Sequence, residues 1–158
     1  MSDFWVFGYG SLMWRPGFAH AEAIAARLAG AHRALCIYSW VHRGTADRPG
    51  LVLGLDQGGS CLGVAFRVAA ENRQDVLAYL RERELVTDVY REATRRVSLA
   101  DGRQVEAVAY LVRRNHPQYA GHLPRETLLA LTRDAVGQSG ANADYVIQTQ
   151  RHLAERGI

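Results

Sequence analysis

Apolar residues alternate or run together through most of the first 112 positions, and steps of three and four return after residue 124. Phe4 to Phe7 is a run of strand-forming residues. Residues 20–29, HAEAIAARLA, are ambiguous. Their alanine content favours a helix, yet Ile24, Ala26 and Leu28 alternate as in a strand, so the period leaves both open. ALCIYSW (34–40) reads as a buried strand, and HRGTADRPG (42–50) as a loop by its Gly, Asp and Pro content. LVLGL (51–55) and CLGVAFRV (61–68) flank DQGGS, which predicts a hairpin. A second hairpin is predicted in RRVSLADGRQVEAVAYLV (95–112), around Asp101–Gly102.

Two kinds of helical spacing complete the pattern. Over 71–84 Val76, Tyr79, Leu80 and Arg83 or Glu84 share one face. After Pro124, which suits a first helical position, Leu128, Leu131 and Ala135 line a face and Gly137 suits the exit. Asn142 can cap a final helix that carries Val146, Thr149 and Leu153 on one side and stops at Gly157. Strands first and helices last predict an α+β fold. At 158 residues, with no repeat, linker or low-complexity segment, one domain over 1–158 is expected.

Composition narrows the function. Apolar residues at 48% and charged residues at 22% describe a globular protein. No apolar run approaches the roughly 18 residues of a membrane helix. MSDFWVFGYG has an acid and no basic region, which argues against a secretory signal. Cys36 and Cys61 make no disulfide framework and predict free thiols, inert in core strands, in a cytoplasmic protein. The formal charge of +3 is scattered. Arg81 and Arg83 alternate with Glu82 and Glu84, and Arg95–Arg96 and Arg113–Arg114 are separate pairs. That pattern argues against nucleic-acid binding and supports at most an attraction for small anions.

FGYGSLMW (7–14) is the first chemical candidate. Gly8-x-Gly10 lacks the third glycine of a dinucleotide fingerprint, since Met13 stands there, and lacks the Lys-Ser/Thr ending of a P-loop. Glycines after a strand let successive N–H groups converge on a carboxylate or oxyanion, with the Ser11 hydroxyl beside them. On the local sequence alone a β-bulge or tight turn with packing glycines is the favoured account. His20, His32, His42, His116, His122 and His152 have no metal-ligand spacing, so no metal is expected. Ser11 lacks the G-x-S-x-G elbow of a serine nucleophile. Glu84 continues the Val76–Leu80 face, so its carboxylate should be desolvated and its pKa raised, which suits a general base at neutral pH. A helix-end Glu84 paired with Arg81, Arg83 or Arg91 is the alternative. Glu82 points the opposite way.

Taken together these segments resemble the ChaC-type γ-glutamylcyclotransferases, which are glutathione-specific. The resemblance rests on FGYGSLMW, HRG and RPG within 42–50, AYLRERE (78–84), HPQYAG (116–121) and GQSGANADY (137–145), in that order. It implies a small mixed β-barrel with helices around it, and makes 20–29 part of a strand. It also implies a reaction without metal, water or cofactor: the α-amine of a γ-glutamyl group attacks its own γ-carbonyl. Glutathione then yields 5-oxoproline and cysteinyl-glycine. The family's catalytic glutamate aligns with Glu84, and its substrate loop with Val6, Phe7, Gly8, Tyr9, Gly10, Ser11 and the adjacent Leu12. Tyr119 matches a tyrosine near the substrate, and Arg43 and Tyr145 are further candidate contacts. LVTDVY (85–90) departs from the family's glycine-containing segment after the catalytic glutamate. Two other functions fit the same residues: a cyclotransferase for other γ-glutamyl amino acids or amines, and a non-catalytic module that binds γ-glutamyl compounds.

Overall fold

Phe4–Gly8 forms β1, buried at every position. It belongs to a computed structural model that describes residues 3–85 and 87–158; Met1, Ser2 and Val86, and with them parts of the N-terminal and LVTDVY expectations, lie outside the described residues. The other strands are β2 (Glu22–Ser39), β3 (Gly50–Val68), β4 (Tyr90–Leu99), β5 (Gln104–Val112), β6 (Val136–Gly137) and β7 (Gly140–Ala141). The helices are α1 (Arg73–Glu84), α2 (Arg125–Asp134) and α3 (Asn142–Glu155). The fold is α+β. The chain divides into two compact units, Met1–Arg33 with Leu55–Arg113, and Ala34–Gly54 with Arg114–Ile158.

In the first unit five strands close a barrel in the order β1-β3-β2-β4-β5. β1 is antiparallel to β3, from Phe4 opposite Val68 to Gly8 opposite Val64, and parallel to β5. With partners on both edges, β1 satisfies its backbone groups without water, which is why its side chains can all be apolar. The hairpin at Asp101–Gly102 forms as its sequence predicts. The Arg103 N–H donates to Asp101 Oδ1 at 3.1 Å, and β4 pairs with β5 from Tyr90–Val112 to Ser98–Gln104.

The two long strands depart from their local sequence. β2 runs as a single strand from Glu22 to Ser39, through most of the alanine-rich segment and all of ALCIYSW but the exposed Trp40, so the strand implied by the family resemblance holds and the helical tendency of the alanines is overridden. DQGGS does not turn the chain back: β3 continues through it as one strand of 19 residues. Gly58 (φ 99°) and Gly59 (φ 72°) take left-handed backbone conformations inside the strand. Such glycines serve a turn or a bend in a barrel strand equally well. Pairing with the neighbouring strand decides between them, and the His32 Nδ1 to Gly58 O approach of 2.9 Å lies at this bend.

α1 packs through Val76 and Leu80 into a core with Phe4, Val6, Leu12, Val68 and Tyr110. Burying each such aliphatic side chain contributes about 1.5–3 kcal/mol, and this contact fixes the helix against β1 and the segment that follows it.

In the second unit the helix boundaries differ from their sequence signals. Pro124 (ψ 150°) precedes α2 and is not its first residue. Ala135 is extended (ψ 136°), so the helix stops at Asp134, and Gly137 belongs to β6 rather than to a helix exit. Asn142 is the first residue of α3 and does not cap it. Its side chain is buried and bonds both polar groups of Leu51, accepting from N–H at 2.9 Å and donating to the carbonyl at 2.8 Å. A carboxamide can do both at once, and that use removes it from the helix end. Gly157 follows α3 as predicted, with the Ile158 N–H on the Leu153 carbonyl.

Candidate active site

The chain leaves β1 at Gly8 with no room to spare. A Cβ on Gly8 would stand 3.0 Å from Leu12 Cβ, and one on Gly63, across in β3, would overlap the Phe7 ring and the Gly8 carbonyl. Both glycines therefore serve a close approach of backbones. The chain then makes one 3₁₀ turn over Ser11–Met13. Met13 N–H donates to Gly10 O at 2.9 Å and Arg15 N–H to Ser11 O at 2.7 Å. A turn of this kind leaves its first N–H groups, here those of Ser11 and Leu12, outside its own bonding. The side chains of Val6, Phe7, Tyr9 and Leu12 are buried and that of Ser11 is exposed. What the segment offers a small molecule is its backbone and one hydroxyl.

Two arginines grip this segment. Arg33 Nε donates to the Tyr9 carbonyl at 2.7 Å, while its Nη2 donates to Leu62 O at 2.6 Å. Arg83, from the last turn of α1, donates through Nη2 to Ser11 Oγ at 2.9 Å. Its Nη1 reaches the carbonyls of Arg15 at 2.7 Å and Pro16 at 3.2 Å and the Tyr79 hydroxyl at 2.9 Å.

Next to Arg83 stands Glu84, its side chain only 18% exposed. Arg83 Nε lies 3.7 Å from Glu84 Oε1, an ion pair without a hydrogen bond. Burial pushes the Glu84 carboxyl above the usual carboxylate range, and the Arg83 charge opposes that rise without cancelling it. Of the three arginines considered as partners for Glu84, Arg83 is the one in place. Arg81 is bound elsewhere, with Nε and Nη2 both 3.0 Å from the Glu92 carboxylate. Glu92 also accepts from the Tyr110 hydroxyl at 2.9 Å. Tyr110 is pushed up by burial first, then by its bond to Glu92, with Glu84 adding a smaller electrostatic contribution.

The second unit joins three motifs that are far apart in sequence. Ser139 N–H donates to His42 O, and Ser139 Oγ lies 2.9 Å from His42 Nδ1. Arg43 donates to Ala141 O at 3.2 Å, and its guanidinium stacks over the Tyr145 ring at 5.5 Å. The Tyr145 hydroxyl accepts from Leu53 N–H. Tyr119 pairs with Ile37 in an isolated bridge, and the Arg114 guanidinium lies over its ring at 5.8 Å. Among the described residues no three His, Cys, Asp or Glu side chains gather as a metal site.

A family model described as ChaC-like protein matches residues 4–158. The chain belongs to this ChaC-like family. It is 36% identical over 154 residues to the glutathione-specific gamma-glutamylcyclotransferase of Escherichia coli (strain K12), an alignment that covers 98% of this chain and 67% of that protein. To the glutathione-specific gamma-glutamylcyclotransferase 1 of Homo sapiens it is 34% identical over 148 residues, 91% of this chain and 67% of that one. Its fold matches a crystal structure of the yeast gamma-glutamyl cyclotransferase specific to glutathione with a TM-score of 0.87, at 22% identity, covering 98% and 88% of the two chains.

Among the residues singled out from the ChaC-like sequence, the structure groups Val6 to Leu12 with α1, whose last residue is Glu84, within the first unit, and Arg43 with Tyr145 within the second. The role of Arg83 as a link between Ser11 and the end of α1 is not visible in sequence beyond its place on the Val76–Leu80 face. The Arg81–Glu92–Tyr110 set is likewise missed, because it needs the β4–β5 register to bring Glu92 opposite Tyr110. Cys36 and Cys61 are buried and form no disulfide, and burial pushes the Cys61 thiol up, as fits an inert thiol. No helix among the described residues is long and apolar enough to cross a membrane.

Proposed function

We propose that this chain is a glutathione-specific γ-glutamylcyclotransferase in which Glu84 is the general base. The observation that carries this reading is a desolvated carboxylate at the end of α1, tied through its neighbour Arg83 to the loop after β1, in a chain of the ChaC-like family. The α-amine of the γ-glutamyl group has a pKa near ~8 and is mostly protonated at neutral pH. Glu84 takes its proton and frees the nitrogen lone pair. That nitrogen attacks the γ-carbonyl carbon and closes a five-membered ring, so proximity within one molecule supplies much of the rate.

The carbonyl oxygen becomes negative as the ring closes. Backbone N–H groups of the Gly8–Leu12 segment are the donors for it, preorganised by the 3₁₀ turn. The carbon–nitrogen bond to the cysteinyl residue then breaks: the departing amine takes the proton held by Glu84, and the second proton that the ring nitrogen sheds to become the lactam N–H passes through Glu84 to the same amine, which leaves as an ammonium. The products are 5-oxoproline and cysteinyl-glycine. Atoms balance without water, and the step calls for no cofactor.

A raised pKa suits both halves of this proton shuttle, because the protonated form must be able to return its proton near neutral pH. Val6, Phe7 and Tyr9 support the loop from beneath. Arg43, Tyr119 and Tyr145 are read as further substrate contacts on their motifs. The family match from residue 4 to 158 favours one catalytic domain over the whole chain. A cytoplasmic site of action fits a consumer of glutathione whose two cysteines form no disulfide.

The test is direct. Purified protein should form 5-oxoproline from glutathione without added metal, and faster than it does from γ-glutamyl-alanine. Calorimetric binding of glutathione with no turnover would instead favour a binding module.

A further inference from the structure

Arg83 spends its guanidinium in an unusual way. Its side chain is 23% exposed, yet its hydrogen bonds reach uncharged oxygens: Ser11 Oγ, Arg15 O, Pro16 O and Tyr79 Oη. Its carboxylate neighbour stays at 3.7 Å. Arg81, on the same helix, shows the ordinary outcome, a bidentate pair with Glu92. On the far side of the loop Arg33 holds the Tyr9 carbonyl. The segment from Tyr9 to Pro16 is thus held by two guanidinium groups, one of which belongs to the helix that carries Glu84.

We infer that Arg83 is a positioning residue for the reaction: it fastens the loop after β1 to the last turn of α1, so that the loop's donors and the Glu84 carboxylate keep a fixed separation. This rests on the cyclotransferase reading above. The planar fork is needed, because one group must reach Oγ of Ser11 with one nitrogen and two main-chain carbonyls with the other. A lysine supplies a single point charge and cannot span them. Arg83 also leaves its positive charge uncancelled beside Glu84. The charge that acts on Glu84 is Arg83 on its own helix; Glu84 in turn acts on Tyr110 from β5, whose hydroxyl is held by Glu92 of β4 and, through it, Arg81. The helix terminus itself disfavours an anion in the last turn. Arg83 is the cation that opposes both that field and burial.

The experiment is steady-state kinetics on glutathione across pH for wild type, Arg83→Met, Arg83→Lys and Arg33→Met, with circular dichroism to verify folding. Arg83→Met should lose about 100-fold in kcat/KM, the scale of a 1 Å misplacement, and its acid limb should move to higher pH. Arg83→Lys should keep the wild-type acid limb and still show a raised KM. Arg33→Met should raise KM and leave the limb in place.

A folded Arg83→Met with wild-type kcat/KM and an unmoved limb overturns the inference, even if its melting temperature falls. If Arg83→Met does not fold, Arg83→Lys and Ser11→Ala, which removes the Nη2 acceptor alone, carry the test. Wild-type KM in both would then overturn it. Absence of 5-oxoproline from the wild type overturns the cyclotransferase reading, and this inference with it, before any variant is compared.

Discussion

The end of α1 and the start of β4 each place a glutamate beside an arginine, and the two pairs differ in kind. Glu92 is paired completely. Arg81 reaches both of its oxygens, Tyr110 donates a third bond, and together they hold its carboxyl below the usual range against the burial that would raise it. Glu84 is more enclosed and less satisfied. Its arginine stands off at 3.7 Å, burial dominates, and its carboxyl is raised. Complete pairing makes a carboxylate a structural part. Incomplete pairing at a mostly buried position raises its proton affinity above that of an ordinary carboxylate, which is the direction a general base needs.

The sharpest way to break the contrast is Glu84→Gln, which keeps the shape and removes the ionisable group proposed as the base. It should lower kcat on glutathione by about 10²–10⁴-fold, measured as 5-oxoproline formed per folded enzyme. A rate near wild type would remove Glu84 from the mechanism. Glu92→Gln should do the reverse, with activity largely kept and stability lowered by about 1–2 kcal/mol in urea unfolding, because the Arg81 fork loses its charged partner at a half-exposed site. This loss should be present near neutral pH and fade in acid as Glu92 is protonated in the folded protein. Its folded pKa lies below the unfolded value, so its contribution exists above the ordinary carboxylate range and disappears as pH falls through the folded pKa.

Glu84 has the opposite sign. Its folded pKa lies above the unfolded value, so ionising it costs stability as pH rises from the ordinary range through the raised one. Glu84→Gln should therefore melt at the same temperature as wild type in acid and slightly higher at neutral pH, by less than about 1 kcal/mol. A clear neutral-pH destabilisation would mean that Glu84 is a structural ion pair like Glu92. The smallest effect belongs to Glu82, which is exposed on the other side of α1. Glu82→Gln should leave the rate unchanged and stability within about 0.5 kcal/mol; a large loss of activity there would undo the argument from helical facing.

Local sequence was sufficient where the deciding interactions are themselves local. Steps of three and four along α1 placed Glu84 with Val76 and Leu80, and Glu82 opposite, because a helix fixes side-chain direction from spacing alone. Asp101–Gly102 specified its hairpin because a tight turn is closed by its own residues. The same logic failed for DQGGS and for the alanines of β2, where a glycine pair or an alanine run is compatible with several conformations and a strand partner elsewhere makes the choice. It failed again for Asn142, whose side chain serves as a cap only if nothing buried competes for it, and Leu51 does.

By itself, then, the sequence determined the direction in which Glu84 points, the glycines that close the end of β1 and the order of motifs that marks the family. Only the tertiary structure decided that Glu84 is mostly buried with its arginine held off, that Arg83 ties the end of α1 to Ser11, and that Glu92 rather than Glu84 takes the full salt bridge. The physical reason is that desolvation and charge pairing are set by which groups meet across the β1–α1 and β4–β5 contacts, and those meetings lie outside the reach of any local pattern.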